Sequence, residues 1–298
     1  MSLDTQVEAP RKLTRKEKRA VDSANRLTSP AASFIAVLIA VFWTIPTAGL
    51  FITSFREQAD IRRTGWWTAF ANPDFTLENY QQVLDSNNLV NSFFNSFIIT
   101  IPAVIIPIML ALLAAYAFAW IDFKGRDFLF AFVFALQVVP IQVTLVPLLT
   151  QYVQWGLANT FWTVWLSHTI FGLPLAIFLL HNFMKEIPRS LIEAARVDGA
   201  GHVRVFFQVL MPLLVPAIAS FAIFQFLWVW NDLLVALTFA APQYMPITAV
   251  IAGLAGSFGS KWHLLSAGAF ISMFVPLIVF LSLQRYFVRG LLAGGVKG

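Results

Sequence analysis

Long stretches without a single Asp, Glu, Lys or Arg set the limits on this fold. Those read as spans run over 27–55, 86–121, 128–184, 205–231 and 262–284. The hydrocarbon core of a bilayer, about 30 Å thick, takes roughly 20 helical residues. The first, second, fourth and fifth stretches each hold one span. The third is long enough for two, with a polar break between Gln151 and Thr160. The expectation is an all-α membrane protein of six transmembrane helices, at 31–55, 92–120, 128–150, 161–183, 208–231 and 264–287. Composition agrees: 58% of residues are hydrophobic, 12% are charged, and mean hydropathy is +0.73. Soluble domains lie nearer half apolar and a quarter charged. Disorder is excluded and a water-soluble enzyme disfavoured.

The charge that remains is placed unevenly. With the N-terminus inside, sixteen Lys and Arg fall on the cytoplasmic segments and four on the outer loops. By the positive-inside rule both termini are cytoplasmic. The net charge of +5 and pI of about 9.7 follow from this topology and need no nucleic acid. Arg11, Lys12, Arg15, Lys16, Lys18 and Arg19 form a basic run with no apolar core of its own, unlike a cleavable signal peptide. The chain divides into a basic segment 1–30, a six-helix domain 31–288 with a loop at 185–207, and a glycine-rich flexible tail 289–298.

No Asp, Glu, Lys or Arg lies mid-span. Ion-coupled carriers usually bury such groups, so ion coupling is disfavoured. His168 and His181 are the ionisable residues within spans, and each is expected to be structural and hydrogen-bonded. There is no cysteine, no G-x-x-x-x-G-K-[ST] and no H-E-x-x-H. No catalytic residue and no metal ligand is assigned. Uphill transport would need energy from another subunit; a passive channel would need none. Trp66, Trp67, Trp155, Trp162 and Trp262 fall at expected outer interfaces, as an aromatic belt does. Asn91 and Asn95 are expected to hydrogen-bond to neighbouring helices, and 122–127 to be a solvated inner turn.

The loop between the fourth and fifth spans carries the most specific pattern. Pro188 and Ser190 start a short helix, Ser190-x-x-Glu193 has the form of a capping box, and Gly199 and Gly201 end it. Leu191, Ile192 and Ala195 form an apolar stripe with small alanines beside it, suited to a groove on a soluble partner.

Glu193-Ala194-Ala195-x₂-Asp198-Gly199-Ala200-x₉-Leu210-x-Pro212-Leu213 resembles the EAA loop of bacterial ABC importer permeases. Trp228-Val229-Trp230-Asn231-Asp232-Leu233-Leu234 is similar to the stretch closing the fifth helix in carbohydrate importers, and residues 284–298 are similar to the C-terminus of the smaller, maltose-type permease. The resemblance covers about 30–298.

It implies the maltose-type permease fold in a prokaryotic inner membrane. A homologous second permease, an ATPase dimer that binds the ATP and Mg, and an extracytoplasmic sugar-binding protein complete the assembly. Glu193, Ala194, Ala195, Asp198, Gly199 and Ala200 would then form the coupling helix, supported by Ser190, Leu210 and Pro212. Gly294, Gly295 and Lys297 of the tail would reach the ATPase. Asn231, Asp232 and Gly256 are candidates for the outer vestibule or pore, and the loop 240–262 for the binding-protein interface. The loop 56–91, with Arg56, Glu57, Asp60, Arg62, Arg63 and Gly65-Trp66-Trp67, is weakly similar to α-glucoside-type permeases and would cap the outer face. The substrate expected is a maltose- or α-glucoside-type oligosaccharide. Another sugar, a polyol phosphate, or a passive channel are the alternatives.

Overall fold

A computed structural model describes residues 30–85, 88–254 and 261–295, with side chains up to 284. Residues 1–29, Gly256 and Lys297 lie outside the described residues, and of Gly294 and Gly295 only the backbone is described. The elements are α1 (Pro30–Ser54), α2 (Gln58–Arg63), a 3₁₀ turn (Trp66–Phe70), α3 (Glu78–Asp85), α4 (Leu89–Trp120), α5 (Arg126–Ala135), α6 (Ile141–Gln154), α7 (Trp162–Glu186), α8 (Arg189–Val197), α9 (His202–Trp230), α10 (Leu234–Phe239), α11 (Ile247–Leu254) and α12 (Trp262–Gly295). Among the described residues there is no strand, only an isolated bridge between Arg56 and Phe75.

Helices α1, α4, α7, α9 and α12 are each long and apolar enough to cross a membrane. They match five expected spans to within a few residues. The last runs on, so that the backbone of 289–295 is helical where a flexible tail was expected. The third expected span, 128–150, needs correction. It is two helices, α5 and α6, bent by 101°. Pro140 has no N–H to donate and disfavours helical backbone at the residue before it. Val139 accordingly sits extended, at φ −69° and ψ 120°. The pair still follows α7 along its length. The Phe130 ring of α5 packs tilted against His181, and the Tyr152 hydroxyl of α6 bonds Ser167 at 3.1 Å. At 1.5 Å per residue those contacts on α7 lie about 21 Å apart.

Helix α9 contains another irregularity with a proline beside it. Val205–Leu210 is π-helical, just ahead of Pro212 and Pro216. A proline ring clashes with the carbonyl one turn back, and a widened turn relieves that crowding.

Helices α4 and α7 form the central packed pair, and α9 crosses both. Ala111, Ala115, Ala176 and Leu180 are fully buried between them, with Leu210, Leu214 and Phe221 of α9. Small residues let helix backbones approach closely in a bilayer. By contrast α1 leaves nearly all its apolar side chains uncovered, Phe42 and Trp43 among them, as a lipid-facing helix does.

The end of the bundle away from α8 is built on polar ties. Arg56 is buried and donates to the carbonyl oxygen of Gly65 at 3.0 Å, to that of Thr64, and to the hydroxyls of Thr64 and Thr68. Asn79 donates to the carbonyls of Ser54 and Arg56. Trp66 packs against Gly49, where a Cβ would come within 2.7 Å of the indole nitrogen. Trp67, Trp155, Trp162 and Trp262 at this end are exposed.

Candidate functional site

Helix α8 starts differently from the expectation. Pro188 occupies the N-cap, Ser190 lies inside the helix, and no side-chain cap bond forms. The Ser190–Glu193 capping box is therefore corrected. Pro188 takes the extended conformation that opens a helix, at φ −58° and ψ 131°, and its carbonyl accepts from the Leu191 N–H. The far end agrees with the glycine pattern. Gly199 is left-handed at φ 81°. Its N–H reaches the Arg196 carbonyl at 3.0 Å, and the Ala200 N–H reaches that of Ala195 at 2.9 Å. This is the Schellman pairing, which glycine permits because it lacks a Cβ.

The expected apolar stripe of α8 is split by the fold. Ile192 is buried in the main core and Ala195 and Ala200 pack against it. Leu191 stays exposed, as do Glu193, Ala194, Asp198 and, at 86%, Val197. The outward surface is thus Leu191, Ala194, Val197 and Asp198, flanked by Glu193. Val197 went unnoticed in the sequence, as did the exposed Val203 and Phe207 at the start of α9. Leu210 is fully buried, and Pro212 sits at the first turn of regular helix in α9. Together they fix where α9 leaves the α8 end. Beside α8, Gly125 turns the chain at φ 81°, and Arg126 pairs with Asp122 at 2.8 Å and Asp127 at 3.2 Å. Both acids are solvated, as expected for 122–127.

At the opposite end Asn231 and Asp232 separate. The Asn231 side chain is exposed and donates back to the Leu227 carbonyl. The Asp232 carboxylate turns inward and accepts from the N–H groups of Val235 and Ala236 at 3.2 and 2.9 Å, capping α10. Burial holds this carboxyl above the usual carboxylate range, against the lowering effect of the backbone donors. His168 Nε2 lies 3.7 Å from the carboxylate, beyond hydrogen-bond length. The hydrogen-bonded roles expected of the two histidines are not found at Nδ1, which is buried and unpartnered in each. Ring packing surrounds them instead, Trp228 edge-on at 5.1 Å from His168 and Phe130 at 4.2 Å from His181. Asn95 bonds the outer segment, not a neighbouring span: it donates to the carbonyls of Gln243 and Met245. Ser96 beside it accepts the Ile247 N–H. The short α11 is thereby tied to α4 and packs on α12 as well, with Ile247, Ile251 and Leu254 buried.

Between these ends, beside the bend at Pro140, lies a cavity of about 690 Å³ bounded by the segment Leu136–Val139 and by α6, α7 and α9. Gln137, Thr144, Gln151 and Gln225 supply its polar groups, and Phe171 and Trp228 are among its walls. Gln225 is buried and donates to the Ala103 carbonyl at 3.2 Å. Its amide crosses Gly172, where a Cβ would stand 2.8 Å away. Neutral amides within apolar runs were the signal for this site, and a search for charge alone passes over them.

Apolar helices around a largely apolar cavity with a few placed polar groups, and a short helix held outward at one end, are the architecture of a membrane transport subunit. Residues 107–292 match the family described as the binding-protein-dependent transport system inner membrane component, and the chain belongs to that family. The osmoprotective compounds uptake permease protein GgtD of Synechocystis sp. is 56% identical over 88% of this chain and 91% of its own. The alpha-glucoside transport system permease protein AglG of Rhizobium meliloti is 50% identical, over 82% of this chain and 68% of its own. A crystal structure of a bacterial ABC transporter for the acidic polysaccharide alginate superposes with a TM-score of 0.72 at 20% identity, over 93% of this chain and all of that one. Family and fold thus agree with the resemblance read from the 193–213 pattern. The chain is a multi-pass membrane transport component, not an enzyme.

Proposed function

We propose that the chain is a permease subunit of an ATP-driven sugar importer, for a maltose- or α-glucoside-type oligosaccharide. Its partners are a homologous second permease, an ATPase dimer and an extracytoplasmic sugar-binding protein. Both termini face the cytoplasm, which the distribution of Lys and Arg supports. ATP and Mg belong to the ATPase. The observation that carries the reading is the mounting of α8. Ile192 roots the helix in the bundle core, while Leu191, Glu193, Ala194, Val197 and Asp198 remain outward. A push on that surface moves the core to which α4, α7 and α9 contribute. ATP binding then favours one state of the permease through contacts that differ between states. Asn231 and the 240–254 segment lie at the end that would meet the binding protein. The tail helix reaches toward the ATPase.

The test is Glu193→Lys in proteoliposomes carrying the full complex. Uptake is expected to be lost while membrane insertion persists. Unchanged uptake together with unchanged ATPase association would sink the reading.

A further inference from the structure

We infer that this subunit itself touches the transported sugar, and that the cavity at the broken span takes a neutral glycoside, not an acidic one. The inference rests on the importer reading above and adds the contact surface and its chemistry.

The polar groups of the cavity are arranged, not scattered. On α6, Thr144, Leu148 and Gln151 follow i, i+4, i+7 spacing and all line the cavity, so they share one face. Val146 lies on the other side of α6, is exposed, and does not line it. Gln137 faces the same space from across the bend, and Gln225 from α9. The Thr144 hydroxyl donates to the Ile141 carbonyl at 2.7 Å, which leaves its lone pairs free to accept. Polar amides facing acyl chains forfeit their hydrogen bonds, at a cost of roughly 2–7 kcal/mol each. Non-helical backbone at membrane depth is tolerated where it lines protein or a watery cavity, and the break at Val139–Pro140 borders this one.

Size and walls narrow the occupant. The volume of about 690 Å³ falls within the range of ligand sites, roughly 300–1,000 Å³, which combine apolar and aromatic walls with a few placed polar groups. Amide and hydroxyl groups match sugar hydroxyls as donors and acceptors, and Phe171, Phe224 and Trp228 supply aromatic wall of the kind that packs against the C–H surface of a pyranose. No Asp, Glu, Lys, Arg or His is among the lining residues. A uronic acid placed here would bury a carboxylate with no cation to meet it.

The chain contains no cysteine, so single cysteines report cleanly. The complete transporter in proteoliposomes would carry Thr144→Cys, Gln151→Cys or, as the opposite-face control, Val146→Cys. A water-soluble methanethiosulfonate is applied and labelling of this chain is read by mass. Maltose, sucrose and trehalose are the neutral probes, and a uronic-acid disaccharide the acidic one. The expected result is labelling at 144 and 151, slowed at least about fivefold by whichever neutral disaccharide the wild type imports, with no protection by the uronic acid and no labelling at 146. Unlabelled 144 and 151 would mean that a partner helix or lipid fills the cavity, and labelling indifferent to sugar would mean an unoccupied passage; either overturns the inference. Import of the uronic acid alone overturns the neutral assignment. Import of none of the sugars with ATP and binding protein overturns the importer reading itself. Should the cysteine variants not assemble, Gln137→Leu is expected to lower uptake about tenfold, the equivalent of one hydrogen bond of roughly 1.4 kcal/mol. ATP hydrolysis stimulated by loaded binding protein should persist; equal loss of both would make Gln137 merely structural and overturn its role.

Discussion

The two ends of this bundle are held together by different physics. At the α8 end the anchor is apolar: Ile192, Leu210 and Met184 are buried, and the Schellman turn at Gly199 finishes the helix with backbone alone. At the other end directional polar bonds dominate, from Arg56, Asn79, Asn95, Ser96 and Asp232. Apolar burial holds α8 firmly without specifying partners, and leaves its outer face free. Hydrogen bonds fix orientation, and they place loops that contain little apolar surface of their own. The first arrangement suits a lever and the second a shaped mouth.

Ala194 is where the two ends separate most sharply. The Ala194→Trp variant blocks the outward face without touching the core, so uptake is expected to fall about a hundredfold, near 2.7 kcal/mol, as at an interface hot spot. Copurification of the ATPase should fall with it; full recovery would mean that α8 is not a docking surface. Ile192→Ala attacks the same helix from the inside. It should destabilise the bundle by about 2–5 kcal/mol, measured as thermal melting in detergent, and Leu191→Ala should leave melting nearly unchanged. At the opposite end, Arg56→Ala strips bonds to a charged donor and should cost about 1.5–3 kcal/mol, seen as faster amide exchange over 56–68 with α8 unaffected. Gly199→Ala forces a side chain into left-handed backbone, at about 1–2 kcal/mol.

The smallest expected effect belongs to Asp232. Asp232→Ala removes the cap of α10 at about 1 kcal/mol. The aspartate also gives a pH signature. Its folded carboxyl lies above the ordinary carboxylate range, so the folded state takes up a proton at higher pH than the unfolded state. Wild type should therefore gain stability relative to Asp232→Asn as pH falls through that raised value, and the difference should level off below the ordinary range. A flat difference in melting temperature across that window would contradict a buried carboxylate.

Five spans were legible because apolar length alone carries the information, and the end of α8 because Gly199 permits backbone that other residues resist. The N-terminal half of α8 was misread: Ser190 and Glu193 fit a capping box, but Pro188 lies earlier and opens the helix. The bend at Pro140 was obscured by the frequency of proline in membrane helices, where Pro102 and Pro107 sit inside an unbroken α4.

Apolar length and residue spacing suffice to establish that the chain is a membrane bundle, where its basic residues lie, and that a surface helix interrupts the last three spans. Those are properties of local composition and spacing. It takes helix packing to turn Ile192 inward and Val197 outward, to make Arg56 and Asp232 buried ties, and to bring Gln137, Thr144, Gln151 and Gln225 around one cavity. Each of these depends on which distant helix lies alongside: Gln137 and Gln225, 88 positions apart in the chain, are brought together only by packing.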